Sequence, residues 1–235
     1  AAMTNVESCE SDKRKALATN CDLAETYAKS ARNHGLPFVH ISTDHLFDGS
    51  QPMLDETAPC SPVNNYGFSK WLGERAVLRA HPQALVLRVN FFGWGPLYRS
   101  SLSDWILNSL EQKSKITLYN NVYFTPLYVG DVISLTHQLV DQDANGIFNL
   151  TSSDRLNKYD FGIKLAKVFN YPTDLISPSL YDPQQGTPRP LDMSLSNSKA
   201  LKALKIDPLT INDALNSLAA NQSLKKAFFN IHQHL

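Results

Sequence analysis

Two short runs of this 235-residue chain carry residue types that could do chemistry: Ser42-Thr43-Asp44 and, with Tyr66 standing 23 positions after Thr43, Tyr66-Gly67-Phe68-Ser69-Lys70. Residues four apart share one face of a helix, so the Lys70 ammonium can sit beneath the Tyr66 phenol. A phenol of reference pKa ~10 donates protons poorly near neutrality, and each unit of downward shift corresponds to roughly 1.4 kcal/mol of selective stabilisation of the phenolate. Thr43, at the end of an apolar strand, would hold a carbonyl oxygen against that phenol. Such a set moves a hydride to or from a carbonyl carbon while a proton moves at its oxygen.

The elements that must position these residues are readable from periodicity. Ala16, Leu17, Cys21, Leu23, Ala24, Tyr27, Ala28 and Ala31 recur at helical spacing over residues 16–33, with Gly35 as the C-cap. Phe38-Val39-His40-Ile41 is a short strand, residues 45–64 a long loop, and Asn64 or Asn65 caps the helix of Tyr66 and Lys70. Leu85-Val86-Leu87-Arg88-Val89 is nearly all apolar, as in a parallel sheet covered on both faces. Helix and strand alternate, which predicts a doubly wound α/β sheet of Rossmann-like type with a smaller α+β lobe. Beyond Phe91 the spacing predicts helices at 101–110, 131–141, 158–169, 197–204 and 211–219, strands at 116–118 and 146–150, and irregular chain between Pro172 and Pro190. The expected division is a partial dinucleotide-binding domain from 1–92 plus 123–150, and a substrate lobe from 93–122 plus 151–235.

A nicotinamide dinucleotide needs a glycine-rich turn between the first strand and helix, where the backbone approaches the pyrophosphate. The ten glycines form no G-x-G-x-x-G; the G-x-G at Gly93-Trp94-Gly95 lies late and runs into Pro96. The chain opens Ala1-Ala2-Met3-Thr4 with no strand before it, so the expectation is a chain lacking its beginning, binding NADP(H) weakly or not at all by itself. Net charge is zero, which gives no case for nucleic acid or an anionic membrane surface. No apolar run approaches the ~20 residues of a membrane span. Cys9, Cys21 and Cys60 are odd in number and include no C-x-x-C, which suits a reducing, cytoplasmic compartment and no metal site.

With these residues goes a resemblance over essentially the whole chain. Ala1-Ala2-Met3-Thr4-Asn5-Val6-Glu7, Asn20, His40-Ile41-Ser42-Thr43-Asp44-His45-Leu46-Phe47-Asp48-Gly49, Pro62-Val63-Asn64-Asn65-Tyr66-Gly67-Phe68-Ser69-Lys70, Leu87-Arg88-Val89 and Arg189-Pro190 resemble the dTDP-4-dehydrorhamnose reductase family of extended short-chain dehydrogenases. The resemblance implies an oxidoreductase of dTDP-rhamnose biosynthesis type that reduces a 4-keto nucleotide sugar with NADPH, NAD(H) being left open. It implies Thr43, Tyr66 and Lys70 as catalytic residues, and Ala1, Ala2, Thr4, Asn20, Ser42, Tyr66 and Lys70 as cofactor contacts. It also implies a member lacking its first two βα units, on the order of 60 residues. A homodimer is compatible with it. The same family resembles the regulatory β subunit of methionine adenosyltransferase, which gives a non-catalytic binding subunit as the alternative.

Around the substrate, each residue has a structural reading beside the functional one. Asp44 contacts a sugar hydroxyl or satisfies a turn. His45 faces the pocket or packs in its loop. Val6 and Glu7 line the pocket or begin a helix. Asn20, costly inside a helix, either links the backbone behind Lys70 or acts directly. Phe91, Phe92 and Trp94 follow a strand's carboxyl end, where ligands bind in such sheets, and one of them stacks on the ligand or all belong to the core. Arg189 clamps a diphosphate or lies in a proline loop. Family reductases often have Tyr where His45 stands and Trp where Phe91 stands, so the sugar can differ. Related dehydratases carry Thr-Asp-Glu, and His45 in place of that Glu disfavours dehydration.

Overall fold

A computed structural model describes residues 2–95 and 100–223. Its centre is a parallel three-stranded sheet, β1 (Val39–Ile41), β2 (Leu85–Arg88) and β7 (Gly146–Asn149), with β2 in the middle. Ile41 pairs with Leu87, and Leu87 with Phe148. All four residues of β2 are buried, as its apolar sequence requires. The α/β class and parallel sheet are those expected.

Helices α1 (Val6–Ser11), α2 (Lys13–Leu17), α3 (Leu23–Asn33) and α4 (Asn65–Ala80) pack together beside this sheet. Residues 16–33 do not form one regular α-helix: Ala18–Asp22 is a π-helical turn between α2 and α3. The wide turn pushes the Asn20 carbonyl toward α4, where Gly73 receives it; a Cβ at Gly73 would lie 2.3 Å from that oxygen. Gly35, at φ +65°, ends α3 in the left-handed conformation that glycine adopts without strain. Asn64 caps α4 by accepting from the Gly67 amide.

After β2 the chain forms short pairs: β3 (Phe91–Phe92) with β6 (Leu127–Tyr128), β4 (Ile116–Tyr119) with β9 (Ile176–Ser179), and β5 (Tyr123–Phe124) with β8 (Leu156–Asn157). The stretch read as irregular between Pro172 and Pro190 therefore contains a strand. Pro178 is admitted because β9 is an edge strand of a two-stranded sheet, where a missing N–H leaves no ladder bond unmade. Helices α5 (Leu102–Glu111), α6 (Val129–Asp141), α7 (Lys158–Val168), α8 (Ser198–Leu204) and α9 (Ile211–Ala220) follow the predicted positions within a few residues. Ser101 and Asp104 close a capping box at α5. The largest core cluster runs from Leu85 and Leu87 of β2 through Phe124, Ile106 and Phe161 to Leu215 and Leu218 of α9. Phe161 is its hub, edge-on to Phe92 at 5.1 Å and to Phe124 at 5.6 Å.

Candidate active site

β1 ends at Ile41, and the Ser42 amide makes one further bond across the sheet, to the Leu87 carbonyl oxygen at 2.6 Å. That bond directs Thr43 and Asp44, both buried, to the carboxyl end of the sheet. Thr43 Oγ1 donates to Asp44 Oδ1 at 3.2 Å and accepts from the His45 amide at 3.3 Å. Asn90 Nδ2, just beyond β2, donates to Asp44 Oδ2. Asp44 thus satisfies the local turn and still lines the cleft. Asn90 was not singled out from sequence; its signal was its place two residues beyond a buried strand, opposite Asp44.

Tyr66 and Lys70 stand one turn apart on α4. Lys70 is 4% exposed, and its Nζ donates to the Ile41 carbonyl oxygen at 2.6 Å. Burial lowers its pKa from the usual 10.5 to about 8, with the Glu74 carboxylate one turn on acting in the opposite direction. The Tyr66 ring meets the His45 ring edge-on, centroids 5.5 Å apart at 74°. Burial holds His45 below the usual imidazole range; the charges of Lys158 and Arg189 push the same way, and Asp44 opposes them. Thr43, Asp44, His45, Tyr66 and Lys70 all face one open cleft of about 1290 Å³.

The other sequence-predicted residues gather around the same space. Ala2, Thr4, Val6, Asn20, Ser42, Phe91 and Arg189 line it, while Ala1 lies outside the described residues. Asn20 is 1% exposed and its amide is fully engaged: Oδ1 accepts from the Met3 amide at 2.8 Å, and Nδ2 donates to the Met3 carbonyl and to Ser69 Oγ, each at 2.9 Å. It ties the Ala2–Thr4 stretch to α4 behind Lys70. Asn5 caps α1, and Glu7, in its first turn, pairs with Arg189. The loop that presents Arg189 is held by Asn64 Nδ2 donating to the Pro188 carbonyl at 2.9 Å and Tyr181 Oη donating to the Thr187 carbonyl at 3.0 Å. Phe92 belongs to the core, and Trp94 packs on Phe169 while donating to the Leu218 carbonyl. All three rings touch the cleft wall, and Phe91, 52% exposed, is the most open of them.

Ser42 Oγ and His45 Nδ1 are buried with no hydrogen-bond partner among the described residues. Beside Lys70 and Tyr66, these suit a polar ligand that brings its own donors and acceptors. No cluster of acidic, histidine or cysteine side chains fit for a metal occurs among the described residues, and no helix there is long and apolar enough to cross a membrane.

The family model for the RmlD substrate binding domain matches residues 1–223. A probable low-salt glycan biosynthesis reductase, Agl14, from Haloferax volcanii is 32% identical over 228 residues, covering 94% of this chain and 75% of that protein. The methionine adenosyltransferase 2 subunit beta of Xenopus tropicalis is 31% identical over 211 residues, covering 82% of this chain, which spans 60% of its length. A hypothetical dTDP-4-dehydrorhamnose reductase from Sulfolobus tokodaii, of known structure, superposes with a TM-score of 0.79 at 27% identity, covering 90% of this chain and 74% of that one. The Bacillus anthracis dTDP-4-dehydrorhamnose reductase, solved with NADP, has the same fold: TM-score 0.86 at 21% identity, covering 94% and 78%. The chain belongs to the RmlD substrate binding domain family.

Proposed function

We propose that this cleft reduces a 4-keto nucleotide-activated sugar with a hydride from NADPH. The observation that carries the reading is the convergence of Thr43, Tyr66 and Lys70 on one cleft at the carboxyl end of the sheet. The residues present fit the nicotinamide-ribose end of the cofactor: Ser42 Oγ is buried and open to a partner, and Ala2, Thr4 and Lys70 line the same wall. The sequence contains no G-x-G-x-x-G for the diphosphate. When bound, the nicotinamide supplies a hydride to the ketone carbon.

The chain's own residues supply the rest. Thr43, buried and held by Asp44 and the His45 amide, turns its single O–H from Asp44 to the carbonyl oxygen when the ketone is bound. Tyr66 donates the proton that oxygen takes up as the carbon becomes tetrahedral. Lys70, fixed to Ile41, lowers the cost of charge on the Tyr66 oxygen and offers its remaining N–H groups to a ribose. Asp44 and Phe91 face the sugar, and Arg189 its diphosphate.

The test is NADPH oxidation with a 4-keto nucleotide sugar at saturating cofactor, comparing wild type with Tyr66→Phe. The variant keeps the ring and loses the proton donor, so kcat should fall by ~10²–10⁴ with cofactor affinity little changed. Turnover that Tyr66→Phe leaves intact overturns the assignment. The likeness to a methionine adenosyltransferase β subunit supports a second reading, a binding subunit that keeps the same fold. Tight ligand binding without turnover in the wild type would favour it.

A further inference from the structure

Thr43 is 4% exposed and Asp44 2%, so the hydrogen bond between them is made largely out of reach of water. Thr43 Oγ1 has one proton to give, and it goes to Asp44 Oδ1 at 3.2 Å. The Thr43 oxygen itself accepts from the His45 amide at 3.3 Å, so the hydrogen can swing while the oxygen stays in place. Asp44 Oδ2 is engaged from the other side by Asn90 Nδ2. Asn90 is fixed in turn, because its carbonyl accepts from the Leu127 amide at 2.9 Å where β3 begins to pair with β6. Thr43, Asp44 and Asn90 all line the cleft.

When the Thr43 hydroxyl turns to a ketone oxygen, it takes its only proton away from Asp44 Oδ1. A buried carboxylate oxygen that loses its donor is penalised, and a ligand that brings a replacement donor removes the penalty. Asn90 decides which oxygen is left short. It pins Oδ2, so the carboxylate is kept from turning and Oδ1 stays beside Thr43. Thr43 Oγ1 and Asp44 Oδ1, 3.2 Å apart, then stand close to the spacing of two oxygens on neighbouring carbons. We propose that Asn90 is a positioning residue which, by pinning Asp44, makes the cleft select a ketone carrying a hydroxyl on the adjacent carbon. That hydroxyl donates to Asp44 Oδ1 as Thr43 donates to the ketone. In a 4-keto hexose it is the hydroxyl on C3. The inference rests on the cleft being the 4-keto nucleotide-sugar site and names the group on the sugar that the site requires.

The test compares a 4-keto nucleotide sugar with its 3-deoxy analogue, by NADPH oxidation at saturating cofactor and by calorimetric titration. In the wild type, kcat/KM should be about ten- to a hundredfold lower for the 3-deoxy analogue. Asn90→Leu frees the carboxylate to turn, and the ratio between the two substrates should collapse toward unity. Asn90→Asp, which keeps the shape and removes the donor, is measured beside it in case the leucine variant does not fold. A merely structural loss lowers activity on both substrates alike and leaves the ratio where it was. A wild type that handles the two substrates equally overturns the proposal, as does a ratio that both variants leave unchanged. The hydride-transfer reading fails separately. If neither sugar is reduced, the titration reads the same preference. Tighter binding of the hydroxylated sugar, lost in the Asn90 variants, leaves the inference standing; equal binding, or none, removes it. Turnover with no preference removes this inference alone.

Discussion

Lys70 Nζ donates to the backbone oxygen of Ile41, so the helix that carries Tyr66 is fastened to the strand that delivers Thr43. The proposed proton donor and the proposed carbonyl-orienting hydroxyl are therefore set by one contact. The same burial that makes this contact rigid brings the Lys70 pKa to about 8. The expected outcome is a rate of ketone reduction that falls as pH rises past about 8, because the neutral amine no longer favours charge on the Tyr66 oxygen. A pH–rate profile for kcat checks it; a flat rate from about pH 7 to about pH 10 would count against Lys70 in this role.

Glu74 and Arg88 form an ion pair with side chains 2% and 3% exposed, bonded through Arg88 Nε and Nη2. Removing one partner leaves the other charge buried, so Glu74→Gln or Arg88→Met should each lower stability by about 3–5 kcal/mol. The double variant Glu74→Leu/Arg88→Met should recover much of that loss. Urea unfolding of the three variants measures it, and additive losses in the double variant would contradict the account.

His40, on β1, has its pKa lowered to about 3, first by burial and then by the Lys70 charge. The folded pKa lies below the ordinary 6.5, so the unfolded chain binds the extra proton between these values. Stability from neutral His40 is complete above about pH 6.5 and declines by roughly 1.4 kcal/mol per unit as pH falls toward about 3. Comparing wild type with His40→Leu by denaturant unfolding at several acid pH values isolates this contribution. Parallel acid losses in the two proteins would show that His40 does not titrate in this way.

Gly67 lies on α4 against the turn after Thr43, and a Cβ there would come within 2.1 Å of the His45 carbonyl oxygen. Gly67→Ala must push the helix from that turn, at a cost of about 1–3 kcal/mol. Because the displaced turn holds Thr43, kcat should fall together with the melting temperature. A stable Gly67→Ala protein with wild-type turnover would show that the helix and turn are not so closely set.

The sequence made α4 legible because three independent signals agree there: Asn64 as a cap, the helical spacing, and an apolar strand on either side. Thr43 could be placed because Phe38-Val39-His40-Ile41 must end beside it. The two-residue strands β3, β5, β6 and β8 were not legible, since nothing local distinguishes them from loop and their partners lie far along the chain. Pro178 concealed β9 for the opposite reason, a local signal overruled by an edge position. Phe92 and Trp94 could not be told from Phe91 by type; only the packing around Phe161 and Phe169 separates the core rings from the exposed one.

The Arg189–Glu7 ion pair joins residues 182 positions apart, with side chains 40% and 59% exposed. So exposed a pair contributes little to stability, ~1 kcal/mol at most. Its meaning is temporal. Joining positions so far apart costs loop-closure entropy, so the rim of the cleft closes only once the elements that bring its two ends together are in place. A nick in the loop that carries Arg189 would accordingly silence binding while the β1–β2–β7 sheet stayed whole.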